Sequence, residues 1–306
     1  MNINKETIKS KPIVKKVILL LQKIQFPSLK GTSLYDVIKL YLFGIISGGV
    51  THRASAIAFS FFMALFPFAL FLLNLIPFIP LDNFQNDFLV FVSQSVPPNT
   101  YDAIETILKD ILNNSYKGLL SSGFLLSIFL MSNGINALLD GFEMSKNISV
   151  KRGYFSQYLI AIALSIVIAF LLLLTVAILI FVAVLIHQIE SQSGYISKIP
   201  LIESIRYLFV IIMILIITST LYKFGTKETK QISFISYGSV MTTVLFVLTS
   251  YLFGIYVEKF ARYNELYGSI GTLLVMMFYV WLNCILILLG FELNAFIFQL
   301  KTSKKE

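Results

Sequence analysis

The sequence predicts an all-α integral membrane protein with about six transmembrane helices and with both termini on the cytoplasmic side. Three observations lead to this fold class. The 306 residues are 57% hydrophobic and only 13% charged, whereas soluble domains are about half apolar and about a quarter charged. The apolar residues form uncharged runs long enough to cross a bilayer. Lysines and arginines cluster between alternate runs, as they do in cytoplasmic loops.

Residues 1–50 precede the first apolar run and are basic. No cleavable signal peptide is evident, because lysines are scattered through the segment and no small-residue cleavage site follows an early apolar core. Apolar residues recur at helical spacing opposite several lysines, at Ile13, Val17, Leu20 and Ile24. We therefore predict interfacial helices that lie on anionic lipid headgroups. Topology and headgroups account for the formal charge of +8, so we expect no nucleic acid partner.

The membrane domain covers residues 51–300 and is followed by a cytoplasmic tail at 301–306. Its six predicted spans are 54–77, 118–140, 158–186, 207–222, 234–257 and 268–300. Pro67 in the first span lacks an amide hydrogen and predicts a kink. The fourth span is marginally short. The sixth has 33 residues, about 50 Å against a hydrocarbon core of about 30 Å, so it must tilt, kink or project beyond the lipid.

The loop at residues 78–117 is the one sizeable connection, and it is acidic. Two stripes of apolar residues at helical spacing lie on either side of Pro97 and Pro98. We predict two short amphipathic helices that cap the outer face of the bundle or dip into the interface.

The distribution of basic residues sets the predicted orientation, since lysine and arginine concentrate in short cytoplasmic loops. With the N-terminus inside, 18 of the 24 basic residues fall on the cytoplasmic side. The other six are Lys109, Lys117, Lys198, Arg206, Lys259 and Arg262. We therefore predict cytoplasmic termini and an external 78–117 loop.

Polar residues in the second span are the strongest functional signal, because an unpaired polar group in hydrocarbon is costly. One helical face, which we name the polar stripe, runs down to the cytoplasmic end of the span and consists of Asn133, Asn136, Asp140 and Glu143. The stripe either lines a path for a solute or is structural. In the structural interpretation the asparagines bond to a neighbouring helix and the acidic residues end the helix in water.

The last span carries three further polar residues. Asn283 and Asn294 share a face with Gly290. Glu292 points about 180° away from Asn283 and lies near the cytoplasmic headgroup level, where Arg53 begins the first span. We predict an ion pair between Arg53 and Glu292. We favour a role in pinning two helices over a role in transport, because partnered charges near helix ends commonly serve packing.

Four segments match a known pattern in their order and spacing. They are THRASAIAFSFFMALFPFALFLL in the first span, VPPNTYDAIETIL in the outer loop, SNGINALLDGF followed by VKRGYF after the second span, and YGSIGTLLVMMFYVWLNCILILLGFELNA at the end. Together they resemble the YihY/BrkB family of bacterial inner-membrane proteins over roughly residues 35–300. The resemblance implies a multi-pass protein of the bacterial cytoplasmic membrane with about six spans.

The resemblance also places family positions on this chain. The terminal Gly-x-Glu pattern of the family falls on Gly290 and Glu292. An asparagine often found in the family at the exit of the second span is Asp140 here. The family's entry to the first span and its Leu-Phe-Pro turn fall on Ala54, Ala58, Leu65, Phe66 and Pro67.

The sequence carries no signature of a cofactor, a metal site or an enzyme. Its one cysteine, Cys284, lies in an apolar run, so an intrachain disulfide or a CxxC motif is not possible. A hydrolytic ribonuclease, which is one label attached to the family, needs clustered metal ligands or an acid–base set. The two histidines lie on opposite predicted sides of the membrane and the inner loops are short. We expect no enzymatic activity and reject the ribonuclease interpretation.

Two functions stay open at this point. The leading hypothesis is a transporter, or a lipid-handling protein such as an exporter or flippase. No Walker motif is present, so we expect that it does not use ATP. In that case the polar stripe and the outer amphipathic helices line a path for an amphipathic or lipid-like solute. The alternative is a non-transporting membrane scaffold or envelope-assembly partner, whose stripe only binds neighbouring helices. The patterns do not specify an oligomeric state.

Overall fold

The computed structural model describes residues 49–75, 84–95, 117–193, 200–260 and 269–302, with single positions between 19 and 35 and between 105 and 112. The helices are α1 Val50–Leu75, α2 Phe84–Ser95, α3 Lys117–Glu143, α4 Tyr154–Ser193, α5 Pro200–Gly225, α6 Tyr237–Phe260 and α7 Ser269–Thr302, with a 3-10 helix at Glu228–Gln231. Apart from a few single positions, the interfacial helices predicted over residues 1–50 lie outside the described residues. Most of the tail does too.

Five of these helices contain segments long and apolar enough to cross a membrane. The segments are Leu125–Glu143, Tyr154–Leu179, Ser204–Gly225, Tyr237–Val257 and Leu273–Leu300. The first helix, α1, has 26 residues and contributes a shorter apolar segment, Val50–Leu65. The all-α membrane fold class is therefore confirmed, with five full-length spans and one shorter apolar helix in the described part of the chain.

Two helices extend well beyond the spans predicted for them. Helix α4 has 40 residues, where the span was predicted at 158–186. Helix α5 has 26 residues and is not short, although its span was predicted at 207–222. Hydropathy locates only the apolar part of a helix, whereas backbone hydrogen bonding continues into polar flanks. Pro200 suits the first turn of α5, because an N–H there has no intrahelical acceptor.

Helix α6 begins later than its predicted span at 234. Ser236 and Ser239 cap its first turn reciprocally: the Ser239 hydroxyl accepts from the Ser236 amide at 2.9 Å, and the Ser236 hydroxyl accepts from the Ser239 amide at 3.2 Å. Such caps satisfy amides that a helix start otherwise leaves unpaired. Phe234 and Ile235 therefore stay in the preceding linker, where both are exposed.

The predicted outer loop contains helical structure on both sides of Pro97 and Pro98. Helix α2 has 12 residues and packs against α4. The described positions between 105 and 112 are also helical, and Glu105 pairs with Lys109 at 2.8 Å with i,i+4 spacing. The two prolines themselves lie outside the described residues.

The core lies where α1, α3 and α7 meet. Helix α1 packs against α3 and α7, α3 packs against α4, and α6 packs against α7. Phe142 of α3 stacks on Phe291 of α7 with ring centroids 4.0 Å apart. Many large apolar side chains are exposed instead, such as Phe155 and Phe170 of α4. A bilayer is as apolar as these side chains, so it can surround them without cost.

Pro67 lies inside α1, which continues past it to Leu75. The hydroxyl of Ser127 in α3 donates to the carbonyl oxygen of Pro67 at 2.7 Å. Serine side chains commonly satisfy backbone groups near a proline in membrane helices. The kink at Pro67 stays a prediction.

The orientation of the bundle can be tested at Lys227, which is exposed between α5 and α6. In a Cys284→Ala background, we expect Lys227→Cys to react with an impermeant maleimide only after the cells are permeabilised, because basic linkers are cytoplasmic. Asn86→Cys, at an exposed position of α2, is the matched control and should react in intact cells. Labelling at Lys227 in intact cells would overturn the predicted topology.

Candidate functional site

A buried ion pair joins the first and last helices. Arg53 Nη2 lies 2.6 Å from Glu292 Oε1, and the two side chains are 6% and 3% exposed. Arg53 Nη1 also donates to the carbonyl oxygen of Gly141 in α3 at 2.6 Å. The pair predicted from the sequence is therefore present, and it ties α1, α3 and α7 together.

The second carboxylate oxygen of Glu292 is bound by the linker between α3 and α4. The Ser145 hydroxyl donates to Glu292 Oε2 at 2.7 Å, and Asn147 Nδ2 donates to the same atom at 3.4 Å. Both carboxylate oxygens of Glu292 therefore have protein donors, which offset the cost of burying the charge. Ser145 and Asn147 are not predictable as partners of Glu292 from the sequence, since nothing in a short polar linker indicates which carboxylate it will meet.

Glu143, the last residue of the predicted stripe, is bonded to the far end of the same linker. Its Oε1 accepts from the backbone amide of Arg152 at 3.1 Å. Arg152 Nη1 in turn donates to the carbonyl oxygen of Gly225 at the end of α5, at 2.8 Å. Burial lowers the pKa of Arg152, and the nearby Glu143 charge opposes that shift. Glu143 is buried and ends α3 inside the protein.

The 3-10 helix holds the linker from the other side. Glu228 Oε1 accepts from the backbone amides of Ser149 and Val150 at 3.0 and 2.7 Å. The linkers α3–α4 and α5–α6 are therefore bonded to each other at one end of the bundle, the end predicted to be cytoplasmic.

The rest of the polar stripe faces the start of α4. Gln157 Nε2 donates to Asp140 Oδ1 at 2.5 Å and to Asn136 Oδ1 at 3.3 Å. The Tyr158 hydroxyl donates to Asn133 Oδ1 at 3.3 Å. Asp140 is exposed, whereas the two asparagines are half-buried. This part of the stripe thus runs from a solvent-exposed carboxylate, Asp140, into the interface between α3 and α4.

The two asparagines of α7 have separate roles. Asn294 Oδ1 accepts from the Gly238 amide at 2.8 Å, and its Nδ2 donates to the Ser236 hydroxyl at 2.8 Å, so it holds the start of α6. Asn283 Nδ2 donates to the carbonyl oxygen of Tyr279 on its own helix at 2.8 Å. They share a face, as predicted, but they do not form one site.

An apolar cavity of about 300 Å³ lies deeper in the bundle, between α1, α3, α4 and α7. Its lining includes Phe61, Met131, Ile168, Leu172, Asn283 and Cys284. Between the cavity and the stripe, the hydroxyls of Ser132 and Ser165 are hydrogen-bonded at 2.9 Å across the α3–α4 interface. Within the described residues, no cluster of three His, Cys, Asp or Glu side chains has the arrangement of a metal site.

Comparison with known proteins places this architecture in a family. The family described as virulence factor BrkB matches residues 45–306, which is most of the chain. The chain belongs to the BrkB family. This BrkB-family chain is therefore a membrane protein, in agreement with its apolar helices.

Curated relatives agree with this assignment. YfkH of Bacillus subtilis (strain 168), which is named only as ribonuclease-like, is 30% identical over 81% of this chain and 90% of its own length. A protein of Coxiella burnetii (strain Dugway 5J108-111), named a UPF0761 membrane protein, is 24% identical over 79% of this chain and 86% of its own length. No solved structure matches the BrkB-family chain.

Proposed function

We propose that the protein moves an amphipathic, lipid-like solute across the bacterial cytoplasmic membrane, as an exporter or flippase that does not use ATP. One observation carries this proposal: the α3–α4 interface changes along its length from the exposed carboxylate of Asp140, through the paired hydroxyls of Ser132 and Ser165, to the apolar cavity at Met131 and Ile168. A lipid has the same order of polar and apolar parts, so this gradient supports a lipid-like substrate.

Each part of the interface has a chemical task in this proposal. At the membrane surface, the Asp140 carboxylate accepts hydrogen bonds from the headgroup or pairs with a positive charge on it. Asn136 offers a further polar contact once Gln157 releases it, since the bond between them is long at 3.3 Å and therefore weak. In this proposal the protein acts without a cofactor, an enzymatic step or a nucleic acid, and anionic headgroups hold the basic segment 1–50.

A second function, a membrane scaffold, is favoured by a specific observation. Three stripe residues, Asn133, Asn136 and Asp140, are bonded to Gln157 or Tyr158 of α4. Asparagines that bond between helices can serve assembly alone. Under this alternative, substitutions in the stripe lower the stability and abundance of the protein, and they change no transport activity.

Two substitutions in the stripe separate the functions. Asp140→Asn keeps the shape and the acceptor but deletes a charge, so we expect lipid movement to fall about tenfold with normal protein abundance. A hydrogen bond to a charged group is worth about 1.5–3 kcal/mol, and each 1.4 kcal/mol is about tenfold in rate. Asn136→Leu should also reduce movement more than abundance. The measurement is flipping of a fluorescent phospholipid in proteoliposomes, beside the protein level on an immunoblot.

Glu228→Gln is the matched control, because it removes a carboxylate charge at the same end of the bundle but keeps the acceptor for Ser149 and Val150. It should leave lipid movement unchanged. If both stripe variants lowered abundance while the activity per molecule stayed normal, the scaffold would be the better function. Normal activity at normal abundance would remove the stripe from any transport mechanism.

A further inference from the structure

The apolar cavity lies at the depth of lipid tails. Met131 is about 18 Å along α3 from the helix end at Glu143, at 1.5 Å per residue, and half of a bilayer's hydrocarbon core is about 15 Å. Ile168 and Leu172 line the cavity from α4, and Cys284 lines it from α7. The cavity is open on one side rather than sealed. The medium at this depth is hydrocarbon.

Two polar side chains that border the cavity, Asn283 and Tyr279, are hydrogen-bonded to protein. Asn283 directs its Nδ2 to the carbonyl oxygen of Tyr279 at 2.8 Å. The Tyr279 hydroxyl is hydrogen-bonded to Ser250 in α6 at 2.7 Å. Among the residues that the structure describes, none of those lining the cavity is charged. An ion, a sugar or a headgroup would lose its water there without finding enough partners.

Size and chemistry together indicate an apolar occupant. A cavity of about 150 Å³ lined by aliphatic and aromatic side chains stays dry and binds benzene, and this cavity is about 300 Å³. We propose that the cavity binds an acyl chain of a membrane phospholipid.

This inference rests on the proposed function and names the part of the substrate that the cavity recognises. Met131 and Asp140 are both on α3, about 13 Å apart along the helix. With a tail at Met131, the rest of the lipid can reach Asp140 only when the hydrogen bond between the buried Ser132 and Ser165 opens. The acyl chain is thus the anchor of the substrate, and the polar stripe meets its headgroup.

Photochemical cross-linking tests the proposal on the full chain. The protein is reconstituted in bilayers that contain a phosphatidylethanolamine with a diazirine in the middle of one acyl chain, then illuminated and mapped by mass spectrometry. We expect adducts on the cavity residues Met131 and Cys284, and also on Phe170, which faces the surrounding lipid and is 63% exposed. Adducts at Phe170 without any at the cavity residues would overturn the proposal.

Variants that narrow the cavity sharpen the result. Ala64 is buried and lines the cavity, so Ala64→Leu, which adds three carbon atoms to the lining, should lower the yield of cavity adducts and leave the yield at Phe170 unchanged. Ala163→Leu makes the same change at an exposed position of α4 and should alter neither yield. Leu172→Trp narrows the cavity from α4 and replaces Ala64→Leu if that variant does not fold. An unchanged yield of cavity adducts in a folded variant with a narrowed cavity would contradict the proposal.

The two proposals fail in different ways. If Asp140→Asn leaves lipid movement unchanged, the proposed function loses its headgroup site, whereas the cross-linking result is unaffected. If the wild-type cavity carries no adducts while Asp140→Asn still slows lipid movement, the acyl-chain site is wrong and transport by the stripe stands.

Discussion

Removing Arg53 or Glu292 alone is expected to destabilise the protein by about 3–5 kcal/mol, whereas removing both together is expected to cost less than either single removal, about 1–3 kcal/mol for the Gly141 carbonyl and the Ser145 hydroxyl that lose a partner. Breaking a buried ion pair leaves one uncompensated charge, but replacing the whole pair by apolar side chains leaves none. The variants are Arg53→Met, Glu292→Leu and the double substitution. The measurement is the yield of monodisperse protein in detergent together with its thermal midpoint.

A surface pair in the same chain provides the control. Glu105 and Lys109 lie 2.8 Å apart, but their side chains are 38% and 54% exposed, and exposed pairs contribute at most about 1 kcal/mol. Glu105→Gln should therefore leave the yield unchanged. If the losses at Arg53 and Glu292 simply add in the double variant, the two side chains do not depend on each other and the ion pair is not what joins α1 to α7.

The environment of Glu292 explains why we assign this pair to structure rather than to transport. Its carboxylate is bonded to Arg53, Ser145 and Asn147, which belong to α1 and to the α3–α4 linker. A transport site must exchange partners, whereas this carboxylate is 3% exposed and fully occupied. The carboxylate of Asp140 also has protein donors, Gln157 and Asn136, but it is exposed and is therefore better suited to meet a solute.

The sequence predicted the ion pair because a buried charge needs a partner and both residues fall at one membrane level. It also placed Asn133, Asn136 and Asp140 on one helical face, because helical periodicity is a local property. It did not identify Gln157 and Tyr158 as their partners. Which helix lies against that face depends on the packing of the whole bundle, and periodicity carries no information about neighbours.

The sequence predicted neither where the helices end nor the cavity, for related reasons. Hydropathy fell away before α4 ended at Ser193, because polar residues can continue a helix outside the lipid. The cavity depends on how the side chains of four helices interlock around Met131 and Cys284. Apolar runs show which residues avoid water, but they do not show where packing leaves a space.

Close contact between α6 and α7 accounts for the glycine at position 290. A Cβ atom on Gly290 would overlap the Thr242 hydroxyl and would come within 2.9 Å of the carbonyl oxygen of Gly238. A Cβ on Gly238 would overlap the carbonyl oxygen of Gly290. The backbones therefore touch, as small residues allow in membrane helices. The glycine permits this approach, and two residues later Glu292 binds Arg53.

Gly290→Ala is therefore expected to destabilise the bundle by about 1–3 kcal/mol or more, the usual cost of overpacking. The added methyl would separate Tyr222 from Thr242, whose hydroxyls are 2.7 Å apart, and Tyr222 also donates to the carbonyl oxygen of Ile287 at 2.8 Å. Folded yield and thermal midpoint in detergent measure the effect, and Gly238→Ala should behave alike.

Gly254→Ala in α6 is the matched control, because a Cβ there meets no atom within 4 Å. Alanine is a better helix former than glycine by about 1 kcal/mol, so this variant should be as stable as the wild type or slightly more so. Equal stability of Gly290→Ala and Gly254→Ala would mean that α6 and α7 can move apart freely. The hydrogen bonds of Asn294 to Gly238 and Ser236 argue against that freedom, since they fix the start of α6 against the turn of α7 that follows Gly290.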